Sequence, residues 1–178
     1  MPTSDPTGIL PVIHDVMKLR PTRILDVGMG MGKWGLLFRE YLEGWGHHRY
    51  SKVQWELTID GIEIYQPYIQ PWHYDIYDGI YSGDIREYAK TIKPYDLVYL
   101  GDVIEHMEKP EGHALLRALK AKWVIVSTPN VKTQMKRRKP NPHQDHKCRW
   151  GLADFKPYRH TVLRGAKNER LLVVRINK

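Results

Sequence analysis

The chain has 178 residues, 42% of them apolar and 27% charged, and a net charge of +8. That size and balance suit one soluble domain over residues 1–178, and no apolar run is long enough to span a bilayer. The polar start lacks the apolar segment of a secretory signal. Cys148 is the only cysteine, which excludes an internal disulfide and fits a reducing cytoplasm.

Asp5 can cap a first helix, Pro6 suits its first position, and Ile9, Val12, Ile13, Val16 and Met17 recur at helical spacing before Pro21 stops it. Residues 23–27 are a short apolar run that reads as a buried parallel strand. A second helix follows from Gly32, with Trp34, Leu37, Phe38, Tyr41 and Leu42 on one face, and Gly44 and Gly46 end it. Strands are expected at 57–64, 80–82, 96–100 and 123–127, with a helix from Pro110 carrying Leu115, Leu116 and Leu119. Strands alternating with helices argue for an α/β fold with a parallel sheet. The end breaks this rhythm. Residues 160–164 and 170–176 are strand-like and lie too close in sequence for a parallel crossover, so they form an antiparallel hairpin.

Charge is uneven. Lys132, Lys136, Arg137, Arg138, Lys139, Lys147 and Arg149 face only Asp145 within residues 131–150, a segment that carries +6. It either attracts an anionic partner or forms a solvated loop.

The main signal is Ile24-Leu25-Asp26-Val27-Gly28-Met29-Gly30-Met31-Gly32. Its glycines allow a tight turn and close approach of a ligand to the backbone, and the helix start behind them presents free N–H groups. A dinucleotide fingerprint needs glycine at 33, which is Lys33, and Asp26 would repel a pyrophosphate, so a nicotinamide-dependent oxidoreductase is disfavoured. An acid at 26 suits a ligand with a cationic amino group. Asp26, Glu63 and Asp84 stand at three successive strand ends. Any one alone reads as a turn residue, but the three together do not read as chance.

These residues resemble the first motif of class I S-adenosylmethionine (SAM)-dependent methyltransferases, an acid followed by G-x-G-x-G, and the resemblance runs over residues 9–176. It implies a Rossmann-like, seven-stranded sheet of order 3-2-1-4-5-7-6, five parallel strands plus the C-terminal antiparallel hairpin, with SAM as cofactor. On that resemblance Asp26, Gly28, Gly30 and Gly32 hold the methionine part, Glu63 accepts from both ribose hydroxyls, and Asp84 and Ile85 face the adenine. Gly101 and Asp102 border the sulfonium. One departure is the 37-position interval from Asp26 to Glu63, against about 20 in the usual unit. The excess falls near residues 45–55, a surface excursion or a contact to substrate or a second subunit.

Leu100-Gly101-Asp102-Val103-Ile104-Glu105-His106 resembles the D-V-I-E-H segment of methyltransferases similar to ubiquinone-biosynthesis O-methyltransferases. His106 has the pKa range of a base near neutrality; the alternative is a helix-start residue with a structural hydrogen bond. The stretch from His143 to Trp150 is similar to small-RNA 3′-terminal 2′-O-methyltransferases, in which an E-x-x-E-H set and a distant histidine bind a divalent ion. That resemblance makes Asp102, Glu105, His106 and His146 the catalytic set and a divalent metal a second cofactor, able to lower the pKa of an acceptor hydroxyl. Relatives with the same pattern use no metal, and Asp102 is a shorter arm than glutamate, so the metal stays open. Tyr65, Tyr68, Trp72, Tyr74, Tyr77 and Tyr81 either stack on a ligand ring or pack on the sheet. The expected reaction is methyl transfer to a hydroxyl or amine of an anionic small molecule or glycan. RNA 2′-O-methylation and a non-catalytic binding module are the rivals, and the oligomeric state is undetermined.

Overall fold

The computed structural model describes residues 4–130, 141–165 and 170–178. Asp5 accepts a hydrogen bond from the Thr7 amide and opens a 3-10 turn that runs into helix α1 (Ile9–Leu19). Arg20 closes the helix in a left-handed conformation before Pro21. The strands are β1 (Arg23–Val27), β2 (Thr58–Glu63), β3 (Gly79–Ser82), β4 (Tyr95–Gly101), β5 (Ala121–Pro129), β6 (His160–Arg164) and β7 (Leu171–Asn177). They form one sheet in the order β3-β2-β1-β4-β5-β7-β6. β1 to β5 pair in parallel, whereas β7 runs antiparallel to both β5 and β6. The order and the terminal hairpin match the expectation. Residues 166–168 of the expected turn, and Lys132, Lys136, Arg137, Arg138 and Lys139 of the basic segment, lie outside the described residues.

Successive strand residues point to opposite faces, and that alternation sorts the core into two layers. Leu25, Val27, Ile62, Val98, Leu100, Val124 and Val126 pack against helix α4 (Ile85–Tyr88), helix α5 (Lys109–Ala118), Trp150 and Phe155. Ile24, Ile59, Leu97, Tyr99 and Ile125 pack against α1, helix α2 (Lys33–Arg39) and Tyr77. Trp150 is fully buried, and its indole N–H donates to the Ile104 carbonyl at 3.1 Å. It thereby fastens the segment before it to the loop after β4.

The second helix changes its winding before it ends. α2 stops at Arg39 and continues as a π-helical turn over Glu40–Gly44, so the helical segment ends at Gly44 as expected. The cause is a buried ion network at that junction. Arg39 reaches Asp78 at 2.6 Å and the Leu57 carbonyl at 2.8 Å, while Glu43 accepts from the Glu56 and Leu57 amides and from Arg49. Buried charges are stable only when paired and hydrogen-bonded in this way. The network ties both ends of the 45–55 excursion to the sheet and leaves Trp45, Tyr50 and Val53 exposed. Helix α3 (His73–Ile76) is one turn.

Candidate active site

The carboxyl ends of β1, β2 and β4 frame a cavity of about 260 Å³. Its inner wall is Val27, Gly28, Ile62, Glu63, Ile85, Asp102 and Val103, and its outer wall includes His106, Arg86 and the segment Asn141 to Lys147. A cleft there is what a doubly wound sheet leaves open where strand order reverses. Gly28, Gly30 and Gly32 all adopt positive φ, at 69°, 53° and 80°. A Cβ at Gly28 would lie 2.7 Å from Val103 Cγ2, so only glycine keeps this wall open.

Glu63 is buried at the end of β2. One oxygen accepts from the Gly30 amide at 3.0 Å, and the other from the Tyr65 amide at 2.9 Å. The first bond holds the glycine loop against β2. Each carboxylate oxygen has two acceptor sites, so Glu63 keeps capacity for two neighbouring hydroxyl donors, as a ribose requires.

Asp26 is placed differently from the expectation. In β1 it shares a face with Ile24, so the pleat directs its side chain into the α1/α2 layer rather than into the cavity. There the Tyr77 hydroxyl donates to it at 2.6 Å. Burial pushes its carboxyl up to about 7, against the Tyr77 and Gly35 donors that pull it down. Asp26 supports the loop from beneath. Gly30, Gly32 and Gly101 do not line the cavity either; Gly32 turns against His73, and Gly101 packs on Tyr99 and the Trp34 indole.

Asp84 and Ile85 both line the cavity. Asp84 caps α4 by accepting from the Arg86 amide at 2.8 Å, and the Arg86 guanidinium grips both its oxygens. Burial works to raise its pKa, but the Arg86 donors prevail and hold the carboxyl below its usual range. With so many donors from one residue, Ile85 is left as the main surface offered to a flat ring. Arg86 also bridges to Glu111 at 2.6 Å.

Beyond β4 the chain turns sharply. Asp102 has φ 53°, a left-handed conformation uncommon outside glycine. Its amide donates to the Ser127 carbonyl at 2.8 Å, and its Oδ1 is buried with no partner among the described residues. Glu105 is buried; Thr128 donates to its Oε2 at 3.0 Å, and Oε1 has no such partner. Burial raises both carboxyls, and the Asp102 charge raises Glu105 further. His106 Nδ1 lies 3.2 Å from the Asp145 carbonyl, and its ring meets His146 edge-on at 4.9 Å between centroids.

The metal set expected from sequence is therefore only partly assembled. Ligand atoms of Glu105, His106 and His146 lie within 4.8 Å of one another. Asp102 is not in that group, because its left-handed backbone and short side chain carry the carboxylate toward Ser4 and Lys33.

The outer wall includes Asn141, Arg86 and Met107, which the sequence did not mark. The Lys147 and Cys148 amides donate to the Glu105 carbonyl, and Gln144 donates to the Tyr68 hydroxyl at 2.7 Å across the mouth. Asn141, His143, Gln144, Tyr68, Arg86 and Met107 all line the cavity. Of the tyrosine-rich stretch, Tyr68 faces the cavity, Tyr77 serves Asp26, Tyr81 packs on Tyr88, and Trp72 and Tyr74 are exposed. None of residues 45–55 lines it.

A family model described as a methyltransferase domain matches residues 8–164. The chain belongs to this family and is a SAM-dependent methyltransferase. No curated protein matches it by sequence. Among solved structures it is similar to the methyltransferase domain of bacterial CtHen1-C, with TM-score 0.62, 16% identity and 96% of each chain covered. The N-terminal domain of EvdMO1, solved in the presence of SAH and D-fucose, gives TM-score 0.67 at 14% identity, covering 98% of this chain and 84% of that one. The small RNA methyltransferase HEN1 gives TM-score 0.62 at 17% identity, covering 100% of this chain and 26% of that one. No helix among the described residues is long and apolar enough to cross a membrane.

Proposed function

We propose that the chain methylates a hydroxyl of an anionic small molecule or glycan, with His106 as the proton acceptor. The observation that carries this reading is that His106 lines the same cavity as Gly28, Glu63 and Asp102. SAM supplies an electrophilic methyl group when bound. Glu63 would hold its ribose, Val27, Ile62 and Ile85 its adenine, and the bare Gly28 backbone its linking atoms. The chain then has two tasks: to align an oxygen in line with that methyl and to remove its proton. His146 and the Asp145 carbonyl orient the imidazole. His143 and Lys147 on the outer wall favour a negatively charged acceptor. D-fucose, present in the EvdMO1 structure, is a hydroxyl-bearing sugar and in that respect resembles a glycan acceptor, although it is neutral.

The test is an acceptor screen read by release of S-adenosylhomocysteine (SAH), repeated with His106→Ala. The variant should turn over about 10²–10⁴-fold more slowly with unchanged SAM affinity; equal turnover removes His106 from the reaction.

A second reading has its own support. The grouping of Glu105, His106 and His146, with an unpartnered buried Glu105 oxygen, fits a divalent cation that would polarise a ribose 2′-hydroxyl of RNA. Manganese titrated into the protein should then bind wild type and not Glu105→Gln, and a chelator should stop turnover. Full activity in chelator, with no RNA methylated, excludes it.

A further inference from the structure

Outside residues 131–150 the chain is almost neutral, since +6 of its +8 lies in that segment, yet the fold sorts the remaining charges by sheet end. Asp26, Glu63, Asp84, Asp102 and Glu105 stand at or just beyond the carboxyl ends of strands. The opposite edge of the sheet is basic. There the segments 18–22, 93–96, 117–122, 156–159 and 177–178 meet, with nine lysines and arginines between them and one acid, Asp96. Hydrogen bonds join them into one surface. The Tyr95 amide donates to the Lys120 carbonyl at 3.0 Å, the Lys178 amide to the Lys122 carbonyl at 3.0 Å, and the Asn177 amide to the Arg159 carbonyl at 2.8 Å. The Lys178 ammonium donates to the Leu116, Arg117 and Leu119 carbonyls and so fastens the end of α5 to the same edge. Asp96 is already engaged: Thr22 donates to one oxygen and Lys122 bridges the other, each at 2.7 Å. Lys18, Arg20, Lys93, Arg117, Lys120 and Arg159 are exposed, and among the described residues none of them has an ion pair.

These cations cross five adjacent strands, β1, β4, β5, β7 and β6, a row of about 19 Å at the usual strand spacing. Like charges held side by side repel one another, and a polyanion relieves them. One strand of a duplex carries a phosphate about every 3.4 Å, so about five or six fall within that length. Two features narrow the partner. None of the exposed large hydrophobic side chains lies on these segments, so unpaired bases would find no exposed ring to stack on. For the same reason there is no apolar anchor for a lipid bilayer. We propose that this edge is a docking face for the phosphate backbone of duplex nucleic acid, engaged without regard to sequence. The seven residues of β4 hold it about 23 Å from the cavity, so a nucleotide bound here is not the one that meets the methyl group. The face keeps the enzyme on a nucleic acid whichever acceptor its cavity takes.

The experiment is fluorescence anisotropy of the full chain with a labelled RNA duplex of about 20 base pairs, between about 50 and 200 mM salt. Wild type should bind, its log affinity falling against log salt with a slope of about −3 or steeper. A duplex of scrambled sequence should bind equally well. The triple variant Lys93→Glu, Lys120→Glu, Arg159→Glu should weaken binding at least about tenfold and flatten the slope by about 3, while SAH affinity by calorimetry stays as in wild type. Changing the same three residues to glutamine should give a smaller loss in the same direction, which separates lost contacts from a damaged fold. No binding by wild type, or full binding by the triple variant, overturns the proposal. So does a loss confined to a second variant, Lys136→Glu, Arg137→Glu, Arg138→Glu, which would move the binding to the other basic segment. Equal affinity for phosphatidylserine vesicles or polyglutamate would make the edge a general anion patch and overturn the nucleic-acid assignment.

Discussion

The loops after β1, β2 and β3 and those after β4 and β5 solve opposite problems around one cavity. On the first side the carboxylates are satisfied: Glu63 holds the Gly30 and Tyr65 amides, Asp84 is gripped by Arg86, and Asp26 is tucked under the loop against Tyr77. The second side stores tension. Asp102 sits at positive φ, and both it and Glu105 keep a buried oxygen without a partner among the described residues. The difference teaches where binding ends and chemistry begins. A cofactor that is always the same can be met by a finished surface, whereas strain and unsatisfied groups cluster where a reacting partner completes the site.

The largest effect should come from spoiling the finished side. Gly28→Val forces a β-branched residue into positive φ and against Val103, so SAM binding by calorimetry should vanish while circular dichroism stays native. Retained binding would mean that the loop is not the cofactor wall. On the other side, Trp150→Ala should cost about 3–5 kcal/mol in urea unfolding and should depress turnover more than SAM affinity, because Trp150 anchors the Asn141 to Lys147 wall. Equal losses in both would show that the two sides are not separable.

Asp26 gives a pH test. Its pKa is about 7 in the fold and near the ordinary carboxyl value when unfolded, so the native state holds the proton longer. That contribution is complete at acid pH, is lost as pH rises through about 7, and is flat above. Between pH 4.5 and 8 wild type should therefore lose about 2–4 kcal/mol relative to Asp26→Asn; parallel profiles would show that Asp26 is not buried as described. The smallest change is Tyr68→Phe. Losing the Gln144 bond across the mouth should raise the SAH dissociation rate only a few-fold, for about 1 kcal/mol, and no change would show that this bond does not retain the cofactor.

Much of this architecture was readable before folding. The strand at 23–27, the glycine turn and the terminal hairpin follow from local patterns of apolar runs and glycines, and the structure places them at Arg23–Val27, 28–32, His160–Arg164 and Leu171–Asn177. Of the residues named from their motif positions, Glu63, Ile85 and His106 line the cavity and Asp26 does not, since a motif position says nothing about which face of the pleat a side chain uses. Asn141 carried no signal, and Tyr68, His143 and Gln144 were noted only as parts of longer stretches, without their pairing. That relation is tertiary: Gln144 and Tyr68 meet across 76 positions, and no local periodicity reports such a contact.

The amino-acid sequence by itself determined the α/β class and the terminal hairpin, since both rest on short-range signals of alternation and turn chemistry; the strand order and the cofactor followed from the glycine motif's resemblance to a known family. Only the tertiary structure decided which acids reach the cavity and which are spent on holding it. That division depends on burial and on donors brought in from distant segments, and a carboxylate's role is set by the company it keeps after folding.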